Sequence, residues 1–156
     1  MILESAQLLC TAHRVLDGVE GIKLSTAGRK LKAWILPDDR EDILYTATHV
    51  NHPSAVWVRQ SSQHYYWLES LLKALYNEYT ARYKKVHLVE SKMFDILSCA
   101  PDNIHNIAFI EPPQCMPEEC KVPGNAVEAY RLYYMLEKRD IAEWRHGPKP
   151  SWYQPV

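Results

Sequence analysis

No apolar run in this 156-residue chain is long enough to cross a bilayer, because Glu, Arg or Lys interrupts each one early, whereas a span takes about 20 apolar residues in succession. The amino terminus also lacks the basic-then-apolar layout of a secretory signal, so a cytoplasmic chain without membrane association is expected. No CxxC pair occurs among Cys10, Cys99, Cys115 and Cys120, and a cytoplasmic chain keeps such thiols reduced. Cys115 and Cys120 with His105 fall one ligand short of a structural zinc set, at a spacing that is not diagnostic; neither a metal nor another cofactor is expected. A surplus of one charge is missing too. Eighteen basic and nineteen acidic residues leave a formal charge of −1, so the molecule as a whole exerts no pull on a polyanion, and any nucleic-acid face must be built locally. What is present, 47% hydrophobic and 24% charged residues without repeat or low-complexity tract, suffices for a single domain over 1–156 with one core.

The pattern along the chain predicts a mainly α fold, a bundle of about five helices with a short extended or irregular excursion near 22–50. Ile2, Ala6, Leu9, Cys10, His13 and Leu16 recur at helical spacing, and Gly18 and Gly21 close that helix. Two short extended pieces are expected next, LKAWIL around Trp34 and ILYTATHV before Asn51, flanking a turn at PDDRED. Asn51 caps a short helix that runs through Arg59 with Pro53 in its first turn. The strongest stripe, Leu68, Leu71, Leu72, Leu75 and Tyr79, marks a central helix over about 62–84, with Glu69 and Lys73 off the stripe. A further helix spans 87–98 and a Pro-rich strap 103–123. Asn125 and Glu128 form a capping box that opens a last helix to about Trp144, before an extended tail.

Four groups of residues suit binding or chemistry. His49, Asn51 and His52 stand where extended chain turns into a helix, with Arg59 within reach of the same face; free amides at such a turn suit phosphate, and a capped turn with His49 packed inside is the structural alternative. Arg82, Lys84, Lys85 and His87 make the densest basic cluster, able to neutralise phosphates or merely to complement a helix carboxyl end. Arg145, Lys149, Trp152 and Tyr153 join charge to aromatic faces that can stack on an unpaired base, or that pin the tail to the core. Glu4, in a helix first turn, either complements the helix dipole or serves as a reacting carboxylate.

Taken together, MILESAQLLCTAHR, THVNHPSAVWVR, EYTARYKKVH, NAVEAYRLYY and KPSWY, in this order across nearly the whole chain, resemble the phage pyrimidine-dimer DNA glycosylases of the endonuclease V type. The resemblance implies a DNA repair protein acting on damaged duplex in the cytoplasm of a host cell, by glycosylase and AP-lyase chemistry. In that family an amino-terminal α-amine attacks the sugar C1′ and a helix-borne glutamate assists; Glu4 matches the glutamate, and the tail Trp-Tyr pair lies near DNA. An α-amine with a pKa of about 7.7–8.0 keeps a useful nucleophilic fraction at cell pH. The family's leader, with its Asp-Lys-His or Asp-Lys-Arg motif and its nucleophile, has no counterpart before this helix, so weak or absent activity is expected, although Met1 sets an α-amine one helical turn from Glu4. The alternative is a non-catalytic phage protein that binds a host protein or a nucleotide on the same scaffold.

Overall fold

In the computed structural model, which describes residues 1–154, the apolar spacing at the amino terminus becomes α1, Ile2–Asp17. It buries Ala6, Leu9, Cys10 and Ala12 completely. The helix stops at Gly18, whose amide bonds the Arg14 carbonyl at 3.0 Å. A Cβ there would sit 2.5 Å from that same carbonyl oxygen, so the close approach admits only glycine without movement.

The chain then turns straight into a hairpin, β1 (Val19–Leu24) and β2 (Lys30–Ile35), paired antiparallel with Val19 opposite Ile35 and Leu24 opposite Lys30. Ser25 and Arg29 close the turn through backbone bonds, with Gly28 at φ 73. LKAWIL is extended as expected, but it pairs backward with Val19–Leu24, and 43–50 forms no strand. A tight turn at 25–29 brings Val19–Leu24 into register at little loop cost, whereas PDDRED coils into the short helix α2, Arg40–Ile43.

Helix α3 is Pro53–Val58, and its cap is His52 instead of Asn51: the imidazole Nδ1 accepts the Ser54 amide at 3.2 Å. Helix α4, Ser62–Tyr83, carries the expected stripe with a change of centre. His64, Tyr65, Leu68, Leu72 and Tyr76 are buried, and Leu71, Leu75 and Tyr79 flank them. Glu69 is buried as well, its carboxylate 2.5 Å from Lys73, so it lies on the stripe and not off it. Lys84 ends α4 in the left-handed region at φ 55. Helix α5, Leu88–Leu97, is capped by His87 through Nδ1 at 3.1 Å. α1 packs against α3, α4 and α5, and Leu9, Val58, Leu72, Val89, Met93 and Leu97 belong to one apolar core.

The described residues divide into two units, Met1–Phe109 and the segment from Ile110 onward. The second is built on α6, Ala126–Leu136, capped by the Asn125 side chain accepting the Glu128 amide at 3.0 Å. The reciprocal half of the capping box is replaced: the Asn125 amide bonds the Val122 carbonyl, and the Glu128 carboxylate faces Arg131 at 3.8 Å. α6 also stops eight residues before Trp144, giving way to a 3-10 turn at Arg139–Ile141. The Pro-rich strap closes around Met116, Cys120 and Ala129. The molecule is mainly helical, with six α-helices and one two-stranded sheet among the described residues.

Candidate nucleic-acid interface

Glu4 projects from the first turn of α1, where its carboxylate pairs with the Met1 α-amine; the two side chains are 70% and 77% exposed. Amine and carboxylate thus meet in open solvent. Helical geometry produces the contact, since three residues make most of one turn.

Further along α1, Thr11 exchanges hydrogen bonds with Thr48, receiving the Thr48 amide at 3.2 Å. That bond lays the 48–52 segment against the helix that carries Glu4. His49 is exposed at φ 47, with Nδ1 2.9 Å from Thr48 Oγ1, so it is not packed inside. Asn51 and His52 are exposed beside it. Arg59 folds back under this turn: its Nη1 donates to the Val50 carbonyl at 2.6 Å and to the Ala55 carbonyl at 3.0 Å. The Arg59 guanidinium therefore sits against the backbone of the 49–52 turn.

The basic cluster after α4 is less available than its composition suggests. Arg82 is held by Glu78, with Nε at 2.6 Å and Nη2 at 2.5 Å, and Lys84 Nζ donates to the Ala81 carbonyl at 2.8 Å. Lys85 is exposed, and its carbonyl accepts Thr80 Oγ1. His87, besides capping α5, meets Tyr79 edge-on with centroids 4.8 Å apart.

In the second unit, Arg145 pairs with Glu143 at 2.7 Å. The Tyr153 ring is buried, packed at 4.4 Å from Trp144 and lying under Lys149 Nζ at 5.4 Å. It is not a free stacking face. Trp152 is half-buried, with the Arg131 guanidinium over its ring at 5.6 Å and Tyr134 edge-on at 6.5 Å. These tail residues hold their own unit together.

The polar network that sequence reasoning missed lies at the far end of α1. Arg14 is 2% exposed and donates to the carbonyls of Trp34, Glu41, Leu44 and Tyr45 and to the Glu41 carboxylate at 2.5 Å. Glu41 in turn binds Lys23 and the Leu36 amide. Burial alone would raise the Glu41 carboxyl, but Lys23, the Leu36 amide and Arg14 outweigh it and bring the pKa down to about 2. Asp17 accepts Arg40 Nη1 at 2.7 Å and the amides of Asp102 and Asn103. Here too burial opposes ionisation, and the Asn103 amide, Arg40 and the Asp102 amide prevail, holding the carboxyl below its usual range.

His13 completes this network. Tyr65 donates its hydroxyl proton to the Leu97 carbonyl at 3.0 Å, so its oxygen receives the Nε2–H of His13 at 2.9 Å. Nδ1 is left to accept Arg40 Nη1 at 3.1 Å. Burial, with the Arg40 charge added, pushes the imidazole down to about 4, against the pull of Asp17. The signal for this cluster was the spacing of His13 and Asp17, four apart on one helix face. Its groups are buried and mutually satisfied, which suits holding α1, the hairpin and the 100–103 turn together rather than touching a substrate.

Among the described residues no three of His, Cys, Asp or Glu gather as a metal set, and no helix is long and apolar enough to cross a membrane. Compared with protein-family models, with curated proteins and with solved structures, the chain matches none.

Proposed function

We propose that the protein binds DNA and carries weak AP-lyase chemistry of the glycosylase type, with the α-amine of Met1 as nucleophile and Glu4 as its proton-transfer partner. The contact between that amine and the Glu4 carboxylate is the observation that supports the reading. Unprotonated, the amine adds to the C1′ aldehyde of an abasic sugar; loss of water leaves an imine. The Glu4 carboxylate, free again after the dehydration, takes the C2′ proton; the C–H electron pair forms a C2′–C3′ double bond and expels the 3′ phosphate, breaking the strand. Glu4 accepts the proton shed by the amine and returns it to the departing hydroxyl. Weak activity follows from the exposure of both groups, because water is not excluded and competing solvation is not replaced by fixed dipoles. DNA is held by the 49–59 turn and Lys85 in this reading. Borohydride should trap a covalent adduct with duplex DNA bearing one abasic site, and Glu4→Gln should slow trapping by roughly tenfold or more. Trapping that is absent, or indifferent to Glu4→Gln, overturns the proposal.

A non-catalytic binding protein is the second reading, favoured by the exposed apolar side chains of the hairpin, Val19, Ile22 and Leu24. DNA affinity that falls with salt supports the first reading, and no DNA binding at low salt supports the second.

A further inference from the structure

We propose that Arg59 is a receptor for one phosphate-class oxyanion at the 49–52 turn. The inference names the group that takes a phosphate, and rests on the DNA reading only in offering a nucleic-acid backbone as one source of it.

Its basis is an unmatched guanidinium. Arg59 is half-buried at the end of α3, and Nη1 is fixed by the Val50 and Ala55 carbonyls. Among the described residues no carboxylate lies within salt-bridge distance of it, and no protein acceptor meets its Nε or Nη2. The other buried or half-buried arginines are compensated: Arg14 by Glu41, Arg40 by Asp17 and Asp38, Arg131 by Glu128. The local sequence widens the contrast, since no acidic residue stands between Asp42 and Glu69, while His49, His52, Arg59 and His64 do. Withdrawal from water lowers the proton affinity of the Arg59 guanidinium.

A guanidinium presents its donors in a planar fork that fits two oxygens of a carboxylate or phosphate. Two carbonyls fix one nitrogen of Arg59, so the remaining donors are oriented before any ligand arrives. That is a prepaid cost of binding. Exposed His49 and His52, and the amide of Asn51, border the same turn.

The test compares thermal unfolding in sodium phosphate and in sodium chloride at equal ionic strength and pH 7. Phosphate at about tenfold its Kd should raise Tm by roughly 3 °C over chloride. Arg59→Lys, which keeps the charge and loses the fork, should remove most of that rise. Because Arg59 also ties down the turn, phosphorus NMR of the folded Arg59→Lys protein supplies an independent binding readout. No phosphate-specific rise in the unsubstituted protein, or an equal rise in Arg59→Lys, overturns the inference. A duplex oligonucleotide and a nucleoside monophosphate separate the sources: displacement of the duplex by free phosphate assigns a backbone phosphodiester, and binding of the monophosphate alone assigns a free ester. Failure of borohydride trapping would sink the lyase reading and leave this receptor standing.

Discussion

Arg14 does the work of a small core by itself: one buried guanidinium satisfies carbonyls from β2, α2 and the segment that follows. Replacing it with methionine fills the volume but strands those carbonyls. Arg14→Met should lose about 3–5 kcal/mol, the usual cost of removing one side of a buried charge network, measured by urea unfolding. His13 sets the pH response. Its folded pKa, about 4, lies below the 6.5 of an ordinary imidazole, so the unfolded chain binds the extra proton between those values. Stability is therefore full above pH 6.5 and falls as the pH drops to about 4, by about 3 kcal/mol. The depressed carboxyls Asp17 and Glu41 add losses at lower pH, as each is protonated through its folded pKa. His13→Gln should start less stable at pH 7 and show a flatter profile between pH 6.5 and 4. An unchanged slope would show that His13 does not govern that window.

At the scale of elements, Gly18 joins α1 to β1 where a Cβ would strike the Arg14 carbonyl. Gly18→Ala should cost about 2 kcal/mol through overpacking, read from the denaturation midpoint, whereas Gly28→Ala tests only the left-handed turn. The helices were legible because apolar periodicity is local: Leu9 to Cys10 and Leu68 to Leu72 face the core as their spacing requires. Partnerships were harder to see. The strand Val19–Leu24 follows a helix-ending glycine and contains another, so it read as punctuation, and only its pairing with Lys30–Ile35 makes it a strand. Asn51 outranked His52 as a cap on propensity, yet the imidazole is the group within reach of the Ser54 amide. Of the candidate site, the adjacency of Glu4 and Met1 and the reach of Arg59 to the 49–52 turn followed from spacing. The neutralisation of Arg82 by Glu78 and the burial of Tyr153 depend on neighbours that composition does not reveal.

For the whole molecule, a charge of −1 leaves the proposed DNA binding to a few local contacts. If about two or three phosphates are engaged, the logarithm of the binding constant should fall with the logarithm of salt at a slope of roughly −2 to −3. A slope near zero would mean that no phosphate is neutralised. The proposed pairing of Met1 and Glu4 is tested most directly by identifying the atom that holds the sugar after borohydride reduction of the complex with abasic DNA. Peptide mass mapping should place the adduct on the α-nitrogen of Met1, and Glu4→Gln should diminish the yield there. An adduct confined to lysine side chains, or none at all, would contradict it.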